Sequence, residues 1–344
     1  MEESDKDDYD VLGQLAKGGQ GTTSRVRRKR DNSIWVLKES YVDNTKAGNS
    51  ALREAKTLQS LNHPNINRYQ DVFLHQDGGQ LVVCTIMEYC EGGDLAHYLI
   101  AFKRHNMIVD PDRAVKWMQQ MCSAIAYMHA HKVVHRDMKP QNIFMMTEDS
   151  LRVGDFGLAQ TIARGKRTSQ VGTPCYMAPE VLQHDAYAES VDVWGLGCIG
   201  LEAVTLEFLW ERKGMLAAHV VTNPIEASSM SPEYPASLRE CIARCLIHSH
   251  AKRPSAALLE GALHRSWHHC TCSCSSLRAP PLPLPLHLSP SSPTPYVLGI
   301  FPSSHANSNP MPGLPRLSCH PRTPSSSSPT SQRREPGRRQ LWAS

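Results

Sequence analysis

The run His135-Arg136-Asp137-Met138-Lys139-Pro140-Gln141-Asn142, followed thirteen residues after its end by Asp155-Phe156-Gly157, restricts this chain more than any other feature of it. Moving a phosphoryl group needs a carboxylate to accept the incoming hydroxyl's proton, a cation near the transferring group and an oxygen ligand for a metal, all close together. Asp137, Lys139 and Asn142 supply the three within one short loop. The interval from Asn142 to Asp155 fits a strand hairpin, which returns a second carboxylate to the same place, with Gly157 letting the chain turn sharply behind it. Asn142 and Asp155 are therefore the candidate metal ligands.

Two features upstream complete the set. Val36-Leu37-Lys38 ends a strand pattern and Glu54 lies on the helical pattern that follows, so their order suits an ion pair that holds the Lys38 ammonium against the phosphates. Ala16-Lys17-Gly18-Gly19-Gln20-Gly21 is a turn whose backbone N–H groups suit phosphate oxygens, and Leu15, Gly18 and Gly21 are its candidate nucleotide contacts. It departs from G-x-G-x-x-G, with Ala16 at the first glycine and Gln20 at the tip. A Cβ at Ala16 is expected to resist close approach and positive φ, lowering nucleotide affinity or turnover. That departure leaves open, beside phosphoryl transfer, a fold that binds partners with weakened nucleotide use.

Along the chain, alternating residues from Tyr9 to about Asp43 predict antiparallel strands, Asn49 to Ser60 a helix, and Ile66–Phe73 and Leu81–Met87 two further strands around an Asp77-Gly78-Gly79 turn. Helical patterns dominate from Asp110, which is placed to cap a helix that has Pro111 in its first turn. A sheet followed by helices implies two lobes. Residues 1–8 read as an acidic extension and 269–344 as a disordered Pro/Ser/Arg-rich tail, too poor in apolar periodicity to offset its ordering entropy. The net charge is +4, yet the tail alone carries seven arginines against Glu335, which leaves the body slightly acidic and without an argument for a nucleic-acid partner. The 11 cysteines are scattered through apolar segments, which fits a reducing compartment, and no stretch is long and apolar enough to span a bilayer.

The order of these motifs, with Ala178-Pro179-Glu180, Asp192-Val193-Trp194-Gly195 and Arg253 downstream, resembles the protein-kinase superfamily from about Tyr9 to His268. The resemblance implies an α+β, bilobal protein-kinase fold with a small β-rich N-lobe (about 9–88), a larger helical C-lobe (about 91–268) and ATP with Mg²⁺ in the cleft, Mn²⁺ being the alternative ion. It implies adenine on a hinge at Glu88 and Cys90, with Met87 as gatekeeper. Lys139 and Gly172-Thr173-Pro174 look like the serine/threonine branch, with protein Ser/Thr hydroxyls as substrates. Met87-Glu88-Tyr89-Cys90-Glu91-Gly92-Gly93-Asp94-Leu95 and His135 to Phe144 are similar to the NIMA-related (NEK) kinases. The same resemblance implies regulation through Arg136 by phosphorylation at Ser169 or Thr168, with the Thr173 hydroxyl bonding near Asp137 and Lys139, and a cytoplasmic location, with cytoskeletal or nuclear sites as alternatives. Pro280-Pro281-Leu282-Pro283 offers a weak SH3-type ligand.

Overall fold

The computed structural model of the chain describes residues 5–18, 21–156, 160–161, 173–183, 188–208 and 227–270, with the side chains of Glu54, Gln160, Thr161, Pro174, Ser229 and 266–270 excepted. Five antiparallel strands, β1 (Tyr9–Gly18), β2 (Gly21–Arg28), β3 (Ile34–Val42), β4 (Tyr69–Asp77) and β5 (Gln80–Glu88), form one sheet in the order β1-β2-β3-β5-β4. Its register sets Thr23, Lys38 and Thr85 in one row and Arg25, Val36 and Met87 in the next but one, so these side chains share a face. The opposite face carries a small core of Tyr9, Val26, Leu37, Phe73, Val82, Cys84 and Ile86. The acidic extension is anchored beside it: Asp5 caps a 3-10 turn at Lys6–Asp8, and Lys6 Nζ lies 2.7 Å from Glu39.

Helix α1 (Thr45–Gln59) begins earlier than its apolar pattern predicts, because the Asn44 side chain accepts the Ala47 N–H and caps it there. Strand β4 begins later than predicted. Residues 65–67 are taken instead by Val153, whose N–H donates to Asn65 O while its carbonyl accepts the Asn67 N–H. That exchange ties the sheet region to a hairpin of β7 (Ile143–Thr147) and β8 (Ser150–Val153). The remaining short pair is β6 (Val133–Val134) with β9 (Gln160–Thr161).

The helical part comprises α2 (Leu95–Arg104), α3 (Pro111–Ala130), α4 (Pro179–Leu182), α5 (Ser190–Thr205), α6 (Ala236–Cys245) and α7 (Ala256–Cys270). Asp110 caps α3 through the Arg113 N–H, with Pro111 in the first turn as expected. Helix α5 is buried on most sides and sits inside one large core with Trp117, Met121, Ile125 and Met128 of α3 and Ile242 of α6. Truncating one of these to Ala costs about 2–5 kcal/mol, which makes α3 and α5 the rigid base beneath the site. Helix α7 runs through His269 and Cys270, two residues past the expected start of the tail. The rest of the tail, 271–344, lies outside the described residues.

The connection from β5 to α2 is stitched to the hairpin. Gly92 N–H donates to Met145 O, Met145 N–H donates to Gly93 O, and Asp94 bridges Phe144.

Candidate active site

The predicted loop stands between β6 and β7, and its backbone is held from below. Asp192, near the start of α5, is fully buried and accepts the N–H groups of His135 (2.9 Å) and Arg136 (2.8 Å) together with His129 Nε2 (2.8 Å). Burial acts to raise the Asp192 carboxyl, but the hydrogen bond and charge of His129 and the Arg136 N–H outweigh it and hold the group below the usual carboxylate range. Arg136 is left-handed at φ 69, a conformation costing of order 1–3 kcal/mol that this cross-brace maintains. A Cβ on Gly195 would lie 2.4 Å from Met138 Cβ, so the absence of a side chain there lets α5 reach the loop.

Above the brace, both carboxylate oxygens of Asp137 are oriented by hydrogen bonds. Oδ1 accepts the Thr173 N–H and hydroxyl, both at 2.9 Å, and Oδ2 accepts Lys139 Nζ at 2.7 Å and Asn142 Nδ2 at 3.1 Å. Lys139 also donates to Thr173 Oγ1 at 2.7 Å, the arrangement expected for Thr173. Asn142 Nδ2 donates further to the Asp137 carbonyl, yet Asn142 Oδ1 is buried without a hydrogen-bond partner among the described residues. His135 accepts the Asp137 N–H on Nδ1 and donates from Nε2 to Gly154 O, which fixes its tautomer and joins this loop to the next.

Asp155 follows that contact with φ 52 and pairs with Lys38 of β3. Burial pushes its carboxyl up, but the Lys38 charge and hydrogen bond, with Lys139 behind them, hold it below the ordinary value. The structure thus brings Lys38, Asp137, Lys139, Asn142, Asp155 and Thr173 together. The Lys38 partner seen here is Asp155. Glu54 lies on α1 as predicted, but its side chain is outside the described residues, as are Gly157, Thr168 and Ser169.

At the glycine-rich turn, Gly18 ends β1 and Gly21 begins β2, with residues 19–20 beyond the described set. Gly21 has φ 153, and a Cβ on it would come 1.7 Å from Glu39 O, so no side chain fits. Ala16 corrects an expectation: it pairs with Thr23 in β1, is buried, and has no positive φ, so its Cβ is not forced into a strained backbone. Leu15 is partly buried beside it. Met87 is buried on β5 between Val36 and Tyr69. Glu88 donates its N–H to Arg68 O, and its carboxylate meets Arg152 Nε at 3.3 Å. Burial pushes the adjacent Cys90 thiol up to about 12, with the Glu88 carboxylate adding to the effect, so it is a packing residue and not a nucleophile.

Two residues escaped the sequence reading. Tyr69 accepts the Phe156 N–H on its hydroxyl at 3.2 Å, its ring 5.5 Å from that of Phe156, which fastens β4 to the Asp155 turn. Nothing local marks it, since the contact spans distant parts of the chain. Asp94 caps α2 through the His97 N–H and also meets His97 Nδ1 at 2.7 Å. Its position after Gly92-Gly93 and before an apolar helix was a usable capping signal. Farther down, Glu180 and Arg253 form a buried ion pair, Nη1 to Oε1 at 2.7 Å, with the guanidinium over Trp194.

A two-lobed arrangement with a cross-braced carboxylate loop and a lysine paired to a second carboxylate is the arrangement the sequence predicts. The protein kinase domain family matches residues 9–268, and the chain belongs to that family. Among curated relatives it is similar to serine/threonine-protein kinase Nek6 of Oryza sativa subsp. japonica, 30% identical over 253 residues covering 73% of this chain and 46% of the relative. It is also similar to serine/threonine-protein kinase Nek2 of Homo sapiens, 36% identical over 209 residues, 58% of this chain and 46% of the relative. Serine/threonine-protein kinase Nek1 of Mus musculus is 32% identical over 257 residues, 72% of this chain and 20% of the relative. The chain spans less than half the length of each of these three.

Proposed function

We propose that the chain is a serine/threonine protein kinase of NEK-like type, transferring the γ-phosphoryl group of ATP to protein Ser/Thr hydroxyls. The observation that carries the reading is Asn142, whose amide nitrogen is committed to Asp137 while its buried Oδ1 is left without a partner. An unsatisfied buried acceptor costs about 1–3 kcal/mol, a cost a cation beside it removes. With the Asp155 carboxylate, the donor set is all oxygen and suits a hard divalent ion, Mg²⁺ first and Mn²⁺ as the alternative. When bound, metal–ATP supplies the phosphoryl group and neutralises charge as it moves.

The chain's own residues then act as follows. Asp137 accepts the proton of the incoming hydroxyl, and Lys139, already 2.7 Å from Asp137, steadies the developing charge. Lys38 holds phosphate, with Glu54 as its proposed second partner. Gly18 and Gly21 offer backbone N–H groups, while Leu15, Met87, Glu88 and Cys90 form the proposed base-binding side. The kinase domain is proposed to span 9–268. Ser169, or Thr168, is the proposed regulatory phosphosite read by Arg136, supported by the basic Arg164, Lys166 and Arg167 around it in sequence. A cytoplasmic setting is supported by the seven cysteines with described side chains, none of them in a disulfide, and among the described residues no helix is long and apolar enough to cross a membrane. SH3-type binding to the tail rests on Pro280–Pro283 alone.

The test is transfer of labelled phosphate from ATP to a generic protein substrate, followed by phosphoamino-acid analysis and a parallel nucleotide-binding measurement. Phosphoserine or phosphothreonine is expected. Nucleotide binding without any transfer would favour the partner-binding reading.

A further inference from the structure

Around the turn between β2 and β3 the sequence places Arg25, Arg27, Arg28, Lys29 and Arg30 within six positions, with Asp31 after them. The register adds Asp10 opposite Arg27. Arg27 lies 3.2 Å and Lys29 3.9 Å from that one carboxylate, and Arg28 takes Asp31. Exposed pairs of this kind are worth about 0–1 kcal/mol, so two surface carboxylates leave the five cations far from neutralised. An exposed apolar residue shares their face: Ile34 is paired in register with Arg27, whereas Val11 is paired with Val26 of the opposite face. Arg25, Arg27 and Ile34 lie on the sheet face shared with Val36 and Lys38, and Arg25 covers the ring of Tyr89 where the chain leaves β5.

We propose that this face docks a short acidic peptide segment of another protein, one that carries an aliphatic side chain among its carboxylates. Carboxylates meet Arg25, Arg27 and Lys29 where Asp10 alone stands now, and the aliphatic group covers Ile34. The occupant is not a part of this chain's longer undescribed stretches. Residues 271–344 hold seven arginines against Glu335, and 209–226 balance Glu211 and Glu226 with Arg212 and Lys213. A nucleic acid is disfavoured because the nearby rings, Tyr89 and Trp35, are themselves covered by Arg25 and Arg28, leaving no open aromatic face for bases. The docked segment tethers its protein on the sheet face that also carries Lys38, and so raises its effective concentration beside the cleft.

The experiment is fluorescence anisotropy of a short fluorescein-labelled peptide of glutamates and leucines titrated with the full chain. Saturable binding that weakens with salt is expected, and Arg27→Glu with Lys29→Glu should weaken it at least ~10-fold. Lys252→Glu with Arg265→Glu, the same charge change on the helical part, should leave it within about twofold. If the reversed pair unfolds, Arg25→Gln with Arg27→Gln replaces it, and loss of binding is again expected. No saturable binding, or equal loss in the control pair, overturns the proposal. So does binding of phosphatidylserine vesicles or single-stranded RNA that depends on Arg27 and Lys29 while the peptide fails to bind.

Discussion

The proposed catalytic loop and the glycine-rich turn are built for their proposed phosphate contacts by opposite means. In the loop, function resides in side chains, each held by named partners: Asp137 by Thr173, Lys139 and Asn142, and the backbone beneath by Asp192. In the turn it resides in the main chain, and the sequence is constrained where two backbones nearly touch, at Gly21 and Glu39. A loop of the first kind is constrained by its side-chain chemistry, whereas a turn of the second kind is constrained by the space around its backbone.

The contrast is broken most severely at the brace. Asp192→Asn leaves buried donors unpaired and should cost about 3–5 kcal/mol of stability, read by denaturant unfolding, with activity falling alongside. The native Asp192 carboxyl is held below its unfolded value, so its contribution is present above about pH 4 and is lost as pH falls through the depressed native value. Unfolding scanned downward from pH 5 should therefore lose less stability in the Asn variant than in the wild type. Asp137→Asn comes next and separates chemistry from folding. It should lower kcat by on the order of a hundredfold or more while the melting temperature and ATP affinity stay close to wild type. A wild-type kcat would remove Asp137 from the mechanism.

On the turn's side, Gly21→Ala should cost about 1–3 kcal/mol and raise the KM for ATP, because β2 must move off β3, the strand that carries Lys38. Thermal unfolding and ATP titration measure the two parts. The smallest effect is Ala16→Gly. Ala16 sits in an ordinary strand pairing, so glycine there should lower stability by about 0.5–1 kcal/mol with no tighter ATP binding. A clear gain in affinity would show that the missing first glycine is a real handicap.

The same division explains what could be read from sequence. Asp137, Lys139, Asn142 and Asp155 were legible because phosphoryl transfer fixes both residue types and spacing, and the hairpin interval carried Asp155 to its place. The cap at Asp110 and the turn at Asp77–Gly79 were legible because they are local. What was lost depended on distant pieces of chain. The start of β4 was misplaced because Val153 takes the backbone of residues 65–67, and Tyr69 went unnoticed because Phe156 gives it its partner. The strain assigned to Ala16 came from motif lettering, and the observed register removes it.

The stitching of Gly92 and Gly93 to Met145 has a mechanical consequence. Helix α2 and the strand that follows the catalytic loop are fastened by reciprocal backbone bonds, so the connection leaving β5 is not a free cord along its whole length. Its upper end is pinned too, through Glu88 to Arg68 and Arg152. Tyr89, Cys90 and Glu91 are therefore a three-residue span between two anchors on the same hairpin, and with the Cys90 side chain buried beside it the span has no slack to serve as a free hinge.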